Sequence, residues 1–163
     1  MLYSDIHVGI DGTGVSSDAQ YAKEFAASFT KLFGETYQWD FKSYKRGPTA
    51  LGSETDNLAM WAYGYAASAH QLASRNPRLT PRIFLTGYSR GGAAVIHASK
   101  LLKKKNIPVH ALFLFDAVDR SASIPFAWSV PSNIANVFLF SYIEPISMRR
   151  SLYSAWGAFP FSS

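Results

Sequence analysis

Apolar positions along this chain follow two alternating rhythms. Ile6, Val8 and Ile10 recur at every second residue, which predicts a short strand running into the glycine turn Asp11-Gly12-Thr13-Gly14. From Asp18 to Phe33 the spacing changes to three and four through Ala22, Phe25, Ala26, Phe29, Leu32 and Phe33. That predicts one helix with one buried face, capped by Ser16 and Ser17 and stopped at Gly34. Gln38 to Tyr44 alternates loosely as a second strand, followed by Arg46-Gly47-Pro48 and a polar loop to Ser53. Ser53 is expected to cap a long helix with Leu58, Trp61, Ala62, Tyr65, Ala69, Leu72 and Ala73 on one stripe, its alanines implying close approach to a sheet. Asn76-Pro77 ends that helix, and Pro81 opens the approach to a third strand at Ile83, Phe84 and Leu85.

Beyond that strand, Ala94, Ile96, Ala98, Leu101 and Leu102 predict a helix to about Lys105. Val109 to Phe115 is apolar almost throughout, as in a strand covered on both faces. Ser121 to Pro131 is irregular and contains Phe126 and Trp128, and Val137 to Tyr142 predicts a fifth strand ending at Glu144-Pro145. Strands alternating with helices give an α/β class with a three-layer, doubly wound parallel sheet. The expected strand order is 2-1-3-4-5, in one domain over residues 1–163 without internal repeat.

Composition narrows the function classes. With 48% hydrophobic and 17% charged residues, the chain is not dominantly disordered. It has no cysteine, so disulfides, a thiol nucleophile and a cysteine metal site are excluded. The net charge of +5 is spread along the chain. Its one basic run, Lys103 to Lys105, falls in the last turn of a helix, where it complements the negative end. No basic face with interleaved aromatics is present, so nucleic acid is not expected as a partner, while contact with an anionic lipid surface stays open. Met1 to Ile10 has neither a positive leader region nor a long apolar segment, and no run approaches the ~20 apolar residues of a membrane-spanning helix. A soluble protein is expected, cytoplasmic or exported without a signal, and its oligomeric state is open. Gly12 to Ser17 lacks the third glycine of a dinucleotide cradle, and neither cofactor nor metal is expected.

The candidate chemistry lies at Gly87-Tyr88-Ser89-Arg90-Gly91. A strand before and a helix after are the context of a G-x-S-x-G nucleophile elbow, in which small neighbours let strand and helix approach and the serine hydroxyl sits at a helix N-terminus. There the first free N–H groups favour a developing oxyanion. The Arg90 N–H is one expected donor; Gly12 or Thr13 would supply the second, unless that loop is simply a tight turn in which Asp11 caps nearby N–H groups. Arg46, after the second strand, is either solvated or meets an anionic substrate. A serine nucleophile needs a base, and the base needs a carboxylate. Asp116 ends the strand after the nucleophile strand and is the candidate acid, with Asp119 and Glu144 in reserve and a loop-capping role as its alternative. No histidine follows His110, and His7, His70, His97 and His110 all fall at positions unsuited to the base. The aromatic end of the chain, Arg149 to Phe161, implies that the segment bearing the base is absent or is supplied by a partner chain.

Ile10-Asp11-Gly12-Thr13-Gly14, Leu85-Thr86-Gly87-Tyr88-Ser89-Arg90-Gly91-Gly92 and Leu114-Phe115-Asp116-Ala117-Val118 resemble the DGT, GFSRG and FDTVG signatures of an α/β-hydrolase domain family. That family includes phospholipase effectors of bacterial type VI secretion. The resemblance spans about residues 5–120. It implies an α/β-hydrolase fold and esterase or phospholipase chemistry on an acyl ester or lipid, with Ser89 as nucleophile and Asp116 as acid. The alternative is a catalytically impaired hydrolase-like module that binds a partner or lipid through Trp128, Trp156, Phe159 and Phe161.

Overall fold

The computed structural model describes residues 2–49, 54–118 and 129–141. Its five strands, β1 (Leu2–Ile10), β2 (Phe41–Lys45), β3 (Leu79–Tyr88), β4 (Val109–Phe115) and β5 (Ile134–Phe140), all pair in parallel in the order 2-1-3-4-5. The order and direction agree with the periodicity. Four helices accompany them: α1 (Asp18–Glu24), α2 (Phe29–Glu35), α3 (Thr55–Ala73) and α4 (Arg90–Lys104).

Strand alternation sends two different kinds of side chain to the two faces. On one face Ile6, Val8, Ile10, Ile83, Leu85, Leu112 and Leu114 form a dry core with α3 and α4. The α3 surface that enters it is a stripe of Thr55, Ala59, Ala62, Ala66, Ala69 and Ala73, so the helix approaches closely, as its alanines predict. Leu58, Trp61 and Tyr65 flank that stripe, while Leu72 is largely exposed. Ser53 lies outside the described residues, and Glu54 at the helix start makes no capping bond.

The opposite face is aromatic and is crossed by α2. Here His7 stacks on Trp39 at 4.9 Å, Phe33 meets Phe113 at 4.5 Å, and Phe113 and Phe115 stack on Phe138 and Phe140 of β5. One expectation fails on this side: Asp18 to Phe33 is two helices, not one. Ser28 interrupts it, because its hydroxyl caps α2 by accepting from Lys31 N–H at 3.2 Å and also donates to the Asp11 carboxylate. The break turns part of the expected apolar face outward, leaving Phe29 67% and Leu32 41% exposed, while Phe25 and Phe33 stay half-buried and Tyr21, Thr30 and Gly34 are buried. Gly34 does not stop the helix; it sits inside α2, backed against the His7 ring. Among the described residues no helix is long and apolar enough to cross a membrane.

His7 is fully buried, with Nε2 paired to Thr86 Oγ1 at 2.9 Å and Nδ1 without a hydrogen bond. Burial, helped by the charge of Lys42, lowers its pKa to about 4. The unfolded chain takes up this proton near 6.5, so between the two values the folded protein binds fewer protons and stability falls as pH drops. Denaturant titrations from pH 7 to 4 are expected to show a loss of about 3 kcal/mol that is absent from a His7→Gln variant. Parallel curves for the two proteins would contradict a neutral buried imidazole.

Candidate active site at the carboxyl rim of the sheet

Asp11, Ser89 and Asp116 are each the first residue after their strand, and the three strands β1, β3 and β4 are neighbours. The register aligns Ile10 with Gly87 and Tyr88 with Phe115, so all three residues emerge at one rim. This is the rim at which parallel α/β sheets present ligand sites.

Ser89 occupies the sharp turn from β3 into α4 with φ 51° and ψ −124°, a conformation that costs an L-residue about 1–3 kcal/mol. Main-chain bonds hold it there. Its N–H donates to Phe115 O at 2.9 Å, and its carbonyl accepts from Gly92 N–H at 2.9 Å and Val118 N–H at 3.1 Å. The hydroxyl does not cap α4, and no described residue hydrogen-bonds to it. The flanking glycines are needed for approach: a Cβ on Gly87 would lie 2.6 Å from Gly92 Cα, and one on Gly91 would overlap the carbonyls of Ile10 and Asp11. Strand, serine and helix thus follow one another without a loop, and the first turn of α4 lies against the ends of β1 and β3.

Asp116 also has positive φ, 42°, and its N–H donates to Phe140 O at 2.7 Å. It is bracketed by Phe115 and Val118, both bonded to the main chain of Ser89, so acid and hydroxyl share one corner of the rim. Asp119 and Glu144 lie outside the described residues, as do Phe126, Trp128, Trp156, Phe159 and Phe161. Arg90 begins α4, and its Nη1 reaches Thr49 O at 3.5 Å, which turns the guanidinium toward the loop after β2.

The loop after β1 lies against Ser89: a Cβ added at Gly12 would stand 3.0 Å from Ser89 Cβ. Asp11 does more than cap. Its buried carboxylate accepts from Ser28 and from Tyr44 OH at 2.6 Å, and Gly12 N–H is directed to it as well. Burial raises its pKa, opposed by those bonds and by Lys31. Arg46 is partly solvated, its side chain 25% exposed, and is engaged by its own chain. It donates to Val15 O, to Ser16 O at 3.2 Å and to Asp18 at 2.5 Å, with its guanidinium 4.3 Å from the Tyr21 ring. The cause is local: within the loop from residue 12 to residue 18, the consecutive carbonyls of Val15 and Ser16 both accept from this one arginine. The roles of Tyr21 and Tyr44 carry no sequence signal, since each phenol finds its partner across the sheet rim.

None of the four histidines lies at this rim. His7 sits under α2, His110 is the second residue of β4, His70 is near the end of α3, and His97 lies on α4 with Nδ1 3.5 Å from Asp56. No group of three or more potential metal-ligating side chains occurs among the described residues.

No protein-family model and no curated protein matches the chain. Among solved structures it is similar to a cutinase-like protein from Cryptococcus sp., with 16% identity and a TM-score of 0.37 over 82% of this chain and 76% of that one. At that degree of likeness the site stands on its own geometry.

The backbone strain at Ser89 gives a test free of any activity. A Ser89→Gly variant relieves the positive φ and is expected to unfold about 1 kcal/mol less readily than Ser89→Ala, read from urea midpoints. Equal midpoints would mean that the turn is relaxed.

Proposed function

We propose that this chain is a serine hydrolase of the esterase/lipase type, acting on acyl esters, with phospholipids within its range. The observation that carries the reading is the strain at half-buried Ser89: a hydroxyl with no described hydrogen-bond partner, on a positive-φ turn, at the N-terminus of α4. The resemblance of three segments to the signatures of the α/β-hydrolase domain family that includes type VI secretion phospholipases supports it. All three fall on the residues that gather at one rim.

In this reading Ser89 Oγ attacks the acyl carbonyl and gives its proton to an imidazole, and the tetrahedral oxyanion is held by the N–H groups of Arg90 and Thr13. Gly12 N–H, directed at Asp11, is the weaker candidate donor. The alcohol leaves with the proton, and water then hydrolyses the acyl-enzyme. Asp116 orients the imidazole. Because none of the four histidines is at the rim, the imidazole comes from outside these 163 residues, from further chain or from a partner.

That same placement of the histidines favours a second reading, a hydrolase-like module that binds without turnover. A fluorophosphonate separates the two. Covalent labelling mapped to Ser89 by mass spectrometry, abolished in Ser89→Ala and accelerated at least tenfold by added imidazole, is the outcome expected of a hydrolase short of its base. A chain that stays unlabelled under both conditions is the binding module.

A further inference from the structure

We propose that Tyr21 is a positioning residue for oxyanion stabilisation: its phenol sets the Gly12–Thr13 peptide so that the Thr13 N–H is presented on the Ser89 side of the rim. This rests on the reading of Ser89 as nucleophile.

Tyr21 OH donates to Gly12 O at 2.6 Å and accepts from Gly47 N–H at 2.9 Å. Gly47 follows β2 and Ser89 follows β3, and these two strands flank β1 on opposite sides. The Gly12 carbonyl is thus drawn toward the β2 flank, so near Gly47 that a Cβ there would overlap it. No described peptide bond is cis, and a planar trans peptide carries its N–H on the side opposite its C=O. Holding the Gly12 carbonyl toward β2 therefore turns the Thr13 N–H toward β3 and the nucleophile. No described group accepts from that N–H, which leaves it available to an incoming oxyanion. Since Gly12 N–H is directed to the Asp11 carboxylate, the burden of the second donor falls on Thr13.

The phenol is itself held still. Tyr21 is 3% exposed, and its ring stacks on Phe25 at 4.1 Å and carries the Arg46 guanidinium 4.3 Å from its centre. Burial also raises its pKa, so the hydroxyl keeps the proton it donates. A donor aimed before the reaction needs no reorganisation during it, which is the source of oxyanion-hole catalysis.

Tyr21→Phe keeps the ring, the stack and the arginine contact, and removes only the hydroxyl. The second-order rate of Ser89 phosphonylation by a fluorophosphonate, measured with added imidazole, is expected to fall about tenfold or more. Tyr37→Phe, which loses a phenol bonded to Asp5 on the amino-terminal side of the sheet, is expected to label at the wild-type rate. A purely structural role is separated by NMR: the Thr13 amide proton should move downfield when wild-type Ser89 is phosphonylated, and less in Tyr21→Phe. Equal labelling rates, or a wild-type Thr13 amide that does not move on labelling, overturn the inference while leaving the hydrolase reading standing. Wild-type protein that never labels removes both. Should Tyr21→Phe fail to fold, the wild-type Thr13 shift alone still decides.

Discussion

The rim geometry depends on how closely the first turn of α4 can approach the ends of β1 and β3. A helix that follows a central strand with no connecting loop must start almost in contact with its neighbours. That is sterically open only where Cβ atoms are missing, as at Gly87 and Gly91. Once the helix is seated, the one residue between strand and helix has no relaxed conformation left. Ser89 takes the strain, and three main-chain hydrogen bonds to Phe115, Gly92 and Val118 over-determine it. The hydroxyl is held at the helix N-terminus because the backbone has nowhere else to put it.

The two faces of the sheet provide this rigidity by different means. Small residues on α3 allow the helix to lie close over Ile6, Val8, Ile83 and Leu85, giving a core that tolerates little movement of α4. The aromatic face is built from rings with polar atoms among them. Thr86 bonds His7, and Ser28 and Tyr44 converge on Asp11, so α2 and β2 are tied to the end of β1 by directional bonds as well as by burial. Such bonds fix direction where packing alone fixes distance.

Class, strand order and the places of Ser89 and Asp116 directly after their strands are legible because each rests on a local signal. Alternation marks the strands, glycine marks the elbow, and an acidic residue at a strand end marks the next corner. The helix from Asp18 to Phe33 was misread because periodicity treats Phe29 and Leu32 as core, whereas the competing preference of Ser28 for a cap divides the segment. Arg46, Tyr21 and Tyr44 were illegible for another reason. Their partners are main-chain groups of the loops after β1 and β2 and the carboxylates of Asp11 and Asp18, gathered by the path of those loops and the parallel pairing of the two strands, and a periodic pattern contains no statement about such bonds.

Asp11 poses an electrostatic problem to any anionic chemistry at Ser89. A carboxylate one residue from Gly12 opposes negative charge on an oxyanion bound by the same loop. Three features of its surroundings reduce that opposition. Burial raises its pKa, so the ionised form is less favoured than in water. Hydroxyl donors from Ser28 and Tyr44 both bind Oδ2 and draw charge toward α2 and β2. Lys31, in the first turn of α2, adds a compensating positive charge. Across the rim, α4 presents its N-terminal N–H groups to Ser89, with no acidic residue in its first turn to blunt them. At Ser89 the N-terminus of α4 thus works against two carboxyl groups, Asp11 with its ionised form disfavoured by burial and Asp116 at the same corner of the rim.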